Sequence, residues 1–570
     1  MRNRISILIG GEAGYGIMTS GEVLARAFAR EGYHVFATSE YPSLIRGGHN
    51  TLKICLGVEE IFSHWRDTDI LVALDARTIH EHSGELSERG VVLYDGEMVK
   101  SDFEDISLIS LPLKRLASKI GGEIMRNTVA LGGVVALMDF NLDLLLKTLE
   151  DHLREKSETI KERNLSAAQA GFDFIRENYS DFIISDFSKP LKSDERMLLT
   201  GNDAICLGAL KAGCKFLSAY PMTPASSILH FMAANEREFK IIAKQTEDEL
   251  AAINMAIGAS FAGVRSMTST SGGGFSLMVE ALGLAAMSET PLVLIECQRP
   301  GPSTGLATRT EQGDLQFVLN ASQGDFLRIV AAPGDIRECF LVTHNAFNLA
   351  ERYQIPVIVL SDKFLSESLK TTSPFETKDL RIDRGSVLSD EDLDYRRYLI
   401  TQNGVSPRSF PGEKGGIHVT SGDEHDESGN SEEKPEIRKE MMDKRFRKLE
   451  KLTREIPKPT IYGKRDASIT LIGWGSTKGP VLETLRLFEE KDMDVNFLHF
   501  VYLNPFPKGI SKILKSLNLL IGIEGNQTGQ FSRLIREKTG KEMDHTILKY
   551  DGRPFIPSFI LSEAEKVIRW

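Results

Sequence analysis

The 570-residue sequence is poor in cysteine and places no two cysteines close together. Its five cysteines, at positions 55, 206, 214, 297 and 339, form no Cys-x-x-Cys pair. Because an iron–sulfur cluster normally takes four thiolates at close spacing, we expect this chain to ligate no cluster. Such isolated thiols are typical of small buried hydrophobes in a reducing compartment. Any electrons that this protein handles would then leave through another chain.

Long apolar runs and a net positive charge are also absent from the sequence. No run approaches the ~20 residues that span a bilayer, and Arg4 leads directly into a strand-like segment at Ile5–Ile9. The formal net charge of −11 argues against a nucleic-acid surface, which needs clustered Lys and Arg. We therefore expect a cytoplasmic protein whose partners include neither membrane nor nucleic acid.

What the chain does contain is an alternation of strand-like and helix-like patterns in three stretches. The first begins at Ile5–Ile9, the second begins near Gly201, and the third runs from Ser468 to the C-terminus. This alternation predicts an α/β fold class with three α/β units, each a parallel sheet covered by helices. The second stretch carries five predicted strands, at Lys215–Ala219, Lys240–Ala243, Val264–Thr268, Pro291–Glu296 and Pro356–Leu360.

The strand–helix pattern dissolves between the second and third stretches. Gly422–Glu436 holds seven acidic residues against one lysine, a composition typical of a solvated connector. Ile437–Leu452 then predicts a highly charged helix with one face formed by its apolar residues, Met441, Met442, Phe446 and Leu449.

Two glycine-rich segments stand in the first stretch. Gly11, Gly14 and Gly16 follow the first strand with the spacing Gly-x-x-Gly-x-Gly, which differs from the dinucleotide-binding fingerprint. Such a loop is either a phosphate cradle at a helix N-terminus or a tight turn without a ligand. Downstream, Arg46 precedes Gly47 and Gly48, which suits either an anionic ligand or an ordinary surface loop.

Four polar segments follow predicted strands or begin helices in the second stretch. They are Tyr220-Pro221-Met222-Thr223-Pro224, Gln245-Thr246-Glu247-Asp248-Glu249, Thr270-Ser271-Gly272-Gly273-Gly274 and the stiff loop Gln298–Arg309. The prolines hold Thr223 in a rigid turn or in a substrate clamp. One of Glu247, Asp248 and Glu249 could be a buried acid that keeps its proton and contacts a cofactor. The alternative is that all three are acids at a helix start that interact with the helix dipole.

In order and spacing, these four motifs resemble the 2-oxoacid:ferredoxin oxidoreductases. The resemblance covers nearly the whole chain, as an α subunit with a fused γ domain. It implies a γ domain over residues 1–185, a pyrimidine-type thiamine-diphosphate-binding domain over 195–375, an acidic linker and charged helix over 376–458, and a transketolase C-terminal-like domain over 459–570. Met222 and Gly273 depart from the family's commoner isoleucine and proline.

The resemblance also implies roles for individual residues. Glu247 matches the glutamate that activates the thiamine aminopyrimidine, and Thr223, Arg299 and Thr308 would contact the 2-oxoacid. Contacts to thiamine diphosphate or to coenzyme A are implied for a larger group, comprising Tyr220, Pro221, Gly272, Gly274, Gly11, Gly14, Gly16, Arg46, Gly47, Gly48 and Asn526. No metal ligand is assigned to this chain.

A Gly-Asp-Gly element, which thiamine enzymes use to hold diphosphate through Mg²⁺, is missing from the sequence. In the family a β subunit supplies that element and a 4Fe–4S cluster, so the resemblance implies an αβ or (αβ)₂ heteromer that shares thiamine diphosphate between subunits. The implied reaction converts a 2-oxoacid and coenzyme A to acyl-CoA and CO₂, with ferredoxin as the electron acceptor. We expect 2-oxoglutarate before pyruvate or branched 2-oxoacids, and a non-catalytic nucleotide-binding subunit is the alternative from another class.

Overall fold

The computed structural model describes residues 2–44, 47–99, 106–190, 195–388 and 394–568, so Arg46 lies outside the described residues. The chain divides into an N-terminal unit (Met1–Leu199, Ser368–Pro374 and Ile556–Ser558) and a larger unit formed by the rest. Among the helices in these ranges, none combines the length and the apolarity that crossing a membrane requires.

Helices and strands alternate along most of the chain. The strands are β1 (Arg4–Glu12), β2 (His34–Glu40), β3 (His49–Gly57), β4 (Thr68–Ala73), β5 (Leu86–Tyr94), β6 (Ser107–Ser110), β7 (Met197–Leu199), β8 (Phe216–Ala219), β9 (Ile242–Gln245), β10 (Ser266–Thr270), β11 (Leu292–Gln298), β12 (Ile329–Ala331), β13 (Pro356–Asp362), β14 (Leu369–Thr372), β15 (Thr460–Tyr462), β16 (Ile469–Trp474), β17 (Val495–Phe500), β18 (Tyr502–Asn504), β19 (Leu519–Glu524) and β20 (His545–Leu548). The α-helices are α1 (Ile17–Glu31), α2 (Ala76–His82), α3 (Leu113–Ile120), α4 (Arg126–Leu137), α5 (Leu142–His152), α6 (Glu158–Asn178), α7 (Gly201–Lys211), α8 (Ser226–Ala234), α9 (Glu236–Phe239), α10 (Glu249–Phe261), α11 (Gly272–Met287), α12 (Leu315–Asn320), α13 (Ile336–Tyr353), α14 (Lys363–Glu367), α15 (Pro435–Glu455), α16 (Lys478–Glu489), α17 (Ile510–Lys515), α18 (Gln530–Thr539) and α19 (Pro557–Ile568).

The N-terminal unit contains an eight-stranded sheet in the order β6-β5-β4-β1-β3-β2-β14-β7. Strands β6, β5, β4 and β1 are parallel, but β3 runs antiparallel to both β1 and β2. The expectation of a parallel sheet is therefore wrong for half of it. The physical reason is the short connection between β2 and β3, because adjacent strands joined by so few residues pair antiparallel.

Helices α4 and α6 pack closely over this sheet. A Cβ atom at Gly132 of α4 would strike the backbone of Ala168 in α6, and one at Gly171 would strike Val129 in return. The two glycines thus let the helix backbones touch, and the apolar core of the unit surrounds that crossing.

The larger unit contains a seven-stranded sheet in the order β18-β12-β13-β11-β10-β8-β9. All of its neighbouring pairs are parallel except β12 and β18. The five strands predicted for the second stretch are confirmed within two residues at each end. A five-stranded sheet, β15-β17-β16-β19-β20, is formed by the third stretch together with β15, which precedes it. The α/β class is therefore confirmed, with one sheet for each of the three predicted stretches. Strand β18 of the third stretch, however, joins the sheet of the second.

The segment expected to be a solvated connector is packed within the larger unit instead. Tyr398 and His425 are fully buried, and the Tyr398 ring lies 4.0 Å from the His425 ring between centroids. The sequence prediction was wrong because it counted acidic residues without their partners. Glu424, for example, accepts hydrogen bonds from both Arg438 and Arg445.

The charged helix α15 is confirmed, but its buried face differs from the predicted one. Lys444 and Lys448 are buried, whereas Leu449 is 37% exposed. Both lysines bind the carboxylate of Glu289, which is itself fully buried, and the Lys448 Nζ–Glu289 Oε2 distance is 2.5 Å. Burial alone would raise the pKa of Glu289, but Lys444, Lys448 and Arg397 hold it well below its ordinary value. The helix is therefore fixed by buried charge in addition to apolar contact.

Candidate active site

Four loops leave the carboxyl ends of neighbouring parallel strands in the seven-stranded sheet. Strands β11, β10, β8 and β9 lie side by side in that order. The loops that follow them begin at Arg299, Ser271, Tyr220 and Thr246. Because carboxyl ends of parallel strands meet at one edge, where α/β proteins bind ligands, the four sequence motifs share that edge.

The three acids after β9 have different surroundings. Glu247 is exposed on this chain, and Asp248 caps α10 by accepting a hydrogen bond from the Ala251 amide at 2.7 Å. Glu249 is the first residue of α10 and is only 3% exposed. Its Oε1 atom is buried and has no hydrogen-bond partner within the described parts of the chain.

Gly274 makes room for the Glu249 carboxyl group. A Cβ atom at position 274 would lie 2.5 Å from Oε1 of Glu249, closer than real Cβ contacts. A neighbouring glycine, Gly272, does the same for Asp314, whose carboxyl carbon would lie 2.9 Å from a Cβ there. The glycine run at the start of α11 is thus needed for close approach of two acids.

Thr223 and Arg299 are brought together at the same edge. Nη1 of Arg299 donates a hydrogen bond to the carbonyl oxygen of Thr223 at 2.9 Å. Burial lowers the pKa of Arg299, and the nearby Asp314 opposes that shift. Thr308, nine residues beyond Arg299 in the same loop, is 7% exposed.

A group of acids beneath this edge was missed by the sequence analysis. Glu296 in β11 is fully buried, and burial together with the facing carboxyl of Asp314 raises its pKa well above the ordinary value. Burial raises the pKa of Asp314 to about 6 and that of Glu311 to about 7, and it also raises the pKa of Asp362. Adjacent carboxyl groups cannot all ionise, so the group retains protons near neutral pH. A glutamate inside the apolar strand Leu292–Gln298 was the available signal.

The remaining predicted contacts in this unit differ in accessibility. Tyr220 is 38% exposed at the edge, and Pro221 behind it is half-buried. Both belong to the loop that carries Thr223, so they lie at the same edge of the sheet as Arg299.

Comparisons with known proteins show the family to which this chain belongs. Residues 207–444 match a family described as "Pyruvate flavodoxin/ferredoxin oxidoreductase, thiamine diP-bdg", and residues 6–174 match "Pyruvate ferredoxin/flavodoxin oxidoreductase". The α subunit of a 2-oxoacid:ferredoxin oxidoreductase from Sulfolobus is 33% identical over 99% of this chain and 97% of its own. The chain belongs to the 2-oxoacid:ferredoxin oxidoreductase family.

Two further relatives are similar over nearly their whole length. The 2-oxoglutarate oxidoreductase subunit KorA of Mycobacterium tuberculosis is 29% identical across 99% of this chain and 91% of its own. A solved 2-oxoglutarate:ferredoxin oxidoreductase from Magnetococcus marinus, with 2-oxoglutarate, coenzyme A and succinyl-CoA bound, superposes with a TM-score of 0.92 at 31% identity and 100% coverage of both chains. This protein is therefore an oxidoreductase subunit with a thiamine-diphosphate-binding domain.

The residues at the edge fit a thiamine cofactor of the 2-oxoacid:ferredoxin oxidoreductases. Glu249 offers a buried carboxyl oxygen that no described residue of the chain bonds, which is what a ring nitrogen of the aminopyrimidine needs. The glycine run that begins α11 lies beside it. The chemistry of this donor set is thus compatible with the family's cofactor.

In the N-terminal unit of this oxidoreductase subunit, the two glycine segments contact one another. The amide of Ala13 donates to the carbonyl oxygen of Gly48 at 3.1 Å. Gly11 lies within β1, whereas Gly14, Gly16, Gly47 and Gly48 all have left-handed backbone angles. Gly16, at φ 70°, begins α1, and no side chain among the described residues caps this helix, so its first amides are available to a ligand.

Asn526, a predicted coenzyme A contact, is bonded within the larger unit. Its side chain is 1% exposed, its Nδ2 donates to the Gln312 carbonyl oxygen and to Glu524, and its Oδ1 accepts from the amides of Thr528 and Gln530. Every polar atom of the amide is engaged inside the larger unit, which does not favour the predicted contact with coenzyme A. The backbone amides of the buried loop after β19 need hydrogen-bond partners inside the protein, and Asn526 supplies one. No pattern in the sequence indicated this role.

Proposed function

We propose that this chain and a partner subunit together oxidatively decarboxylate 2-oxoglutarate, form succinyl-CoA and CO₂, and pass the two electrons to ferredoxin. The observation that carries the proposal is the buried, unpartnered carboxyl of Glu249 on the same sheet edge as the Arg299–Thr223 pair. Thiamine diphosphate, when bound, supplies the nucleophilic carbon that adds to the oxo group and accepts the electrons of decarboxylation.

Glu249, and not the Glu247 that the motif resemblance indicated, is the proposed activating acid. The group that shares a proton with N1′ of the aminopyrimidine works in a dry site and needs a carboxyl oxygen that is not committed elsewhere. Glu249 is 3% exposed, whereas Glu247 is exposed and Asp248 is engaged as a helix cap. Of the three acids, only Glu249 thus has both the burial and the uncommitted oxygen that the role needs.

Arg299 and Thr223 are proposed to bind the carboxylate of the 2-oxoacid. A guanidinium has five N–H donors, so its one bond to the Thr223 carbonyl leaves donors in a fork that matches a carboxylate. The nearby Asp314 carboxyl interacts favourably with this cation, and burial raises the pKa of Asp314 to about 6. Thr308, in the same loop, is the proposed hydroxyl contact.

Coenzyme A is proposed as the cosubstrate, with the glycine segments of the N-terminal unit as the candidate phosphate cradle. Gly14, Gly16 and Gly48 expose backbone where α1 begins, and a helix N-terminus favours phosphate. A β subunit is the proposed source of the Mg²⁺-diphosphate site and the 4Fe–4S cluster, because this sequence has neither a Gly-Asp-Gly element nor clustered cysteines.

The choice of 2-oxoglutarate is supported by the names of two relatives, from M. tuberculosis and M. marinus. Pyruvate is the second candidate, because both matching family descriptions name it. The test is kcat/KM of the assembled enzyme for 2-oxoglutarate, pyruvate and a branched 2-oxoacid, measured anaerobically with ferredoxin and coenzyme A. We expect the highest value for 2-oxoglutarate. A higher value for pyruvate would reassign the substrate and leave the enzyme class intact.

A further inference from the structure

Two imidazole rings and a carboxylate converge at one place in the N-terminal unit. His49 begins β3, while Glu81 and His82 end α2. Their ligand atoms all lie within 4.8 Å of one another, and the two Nε2 atoms are 3.0 Å apart. More than thirty residues separate His49 from the other two, so no local spacing pattern in the sequence indicated this cluster.

The surroundings orient these side chains toward a common point. Nδ1 of His82 lies 2.9 Å from Oε1 of Glu85, and Lys53 approaches the other Glu85 oxygen at 3.6 Å. A carboxylate on Nδ1 fixes the ring proton there and leaves the Nε2 lone pair directed into the cluster, as is usual for metal-binding histidines. Arg77 holds Oε1 of Glu81 at 2.6 Å, and Oε2 lies 3.8 Å from Nε2 of His49.

We propose that His49, Glu81 and His82 form a binding site for a divalent first-row cation, with Zn²⁺ as the preferred occupant. Two imidazoles and one carboxylate suit zinc and leave a fourth position open. Zn–N bonds of about 2.0–2.1 Å at a tetrahedral angle separate two nitrogens by about 3.3 Å. The observed 3.0 Å therefore needs an opening of only a few tenths of an ångström.

The cluster lies beside the end of β1, which leads into the first glycine segment. His49 pairs with Glu12 at the end of β1, and a Cβ atom at Gly10 would lie 3.2 Å from Cε1 of His49. A cation there adds positive charge beside the loop that contains Gly14 and Gly16. The proposal does not rest on the proposed function, because cation binding is measured without turnover.

The experiment is a titration of the metal-free full-length chain with Co²⁺, followed by visible absorption, and with Zn²⁺, followed by calorimetry. We expect one cation per chain for the wild type. His49→Gln and His82→Gln each remove one ligand and should abolish this stoichiometric binding, while His80→Gln, on the same helix, should leave it unchanged. Circular dichroism melts establish whether each variant folds.

Glu85→Gln provides a second variant that leaves all three ligands in place. It should weaken binding by about 10–100-fold, the usual cost of losing a carboxylate that orients a metal-binding histidine. Absence of stoichiometric binding, or undiminished binding in the folded histidine variants, would overturn the proposal and leave a hydrogen-bonded imidazole pair. If those variants do not fold, an unchanged affinity in Glu85→Gln overturns it equally.

Discussion

Replacing Glu249 by glutamine isolates the acid chemistry of the proposed thiamine site. Glutamine has the same length and shape, so it fits the space that Gly274 leaves open. It cannot exchange a proton with a ring nitrogen as a carboxyl group does. Positioned acid–base groups contribute about 10²–10⁴-fold, so the activation barrier should rise by about 3–5 kcal/mol.

The cost of this substitution to folding should be small by comparison. Oε1 of Glu249 has no hydrogen-bond partner in the described chain, so no internal bond through that atom is lost. A buried amide N–H without a partner costs about 1–3 kcal/mol at most. We therefore expect a folded variant that assembles and binds the cofactor but exchanges the thiazolium C2 proton slowly.

The assay is deuterium exchange at C2, measured by quenched-flow NMR on the assembled complex, with Glu247→Gln as the matched control. The control removes an identical group two residues away from an exposed position, and its exchange rate should stay within about threefold of the wild type. Slow exchange in Glu247→Gln combined with normal exchange in Glu249→Gln would refute the assignment and restore Glu247.

Three further predictions test other parts of the structure. Arg299→Lys keeps the charge but loses the fork, so kcat/KM for the 2-oxoacid should fall by roughly 10–150-fold at unchanged thiamine affinity; unaltered turnover would make Arg299 structural. Lys448→Met leaves Glu289 with less compensation and should lower the free energy of unfolding in urea by about 3–5 kcal/mol. Because the folded-state pKa of Glu289 is depressed, that difference should shrink as the pH falls below about 4, and a pH-independent difference would contradict the ion-pair explanation. The isolated chain should be colourless, and stoichiometric iron and sulfide in it would contradict the assignment of the cluster to a partner.

Much of the larger unit could be predicted from its sequence. The strands of the second stretch are short apolar runs bounded by polar loops, and burial on both faces makes such runs easy to recognise in a parallel sheet. The four motifs were therefore placed correctly at strand ends. In the N-terminal unit, β2 and β3 escaped detection because His34, Thr38, His49 and Lys53 interrupt their apolar pattern.

Other features depend on tertiary pairing that no local pattern contains. The buried lysines of α15 face Glu289, which lies 155 residues from Lys444. The distinction between Glu247 and Glu249 depends on where α10 begins, and Asp248 decides this by capping the helix. An aspartate before a small-residue helix was a usable signal for that cap, and applying it would have placed Glu249 in the first turn.

The most direct test of a thiamine-dependent 2-oxoacid oxidoreductase is to follow labelled carbon through one reaction. The assembled enzyme is incubated anaerobically with ferredoxin, coenzyme A and 2-oxoglutarate carrying ¹³C at C1, with and without thiamine diphosphate. We expect thiamine-dependent release of ¹³CO₂, unlabelled succinyl-CoA by mass spectrometry, and two reduced ferredoxins per turnover. If no tested 2-oxoacid gives CO₂ and acyl-CoA together, or if both form without thiamine diphosphate, the proposed function is wrong.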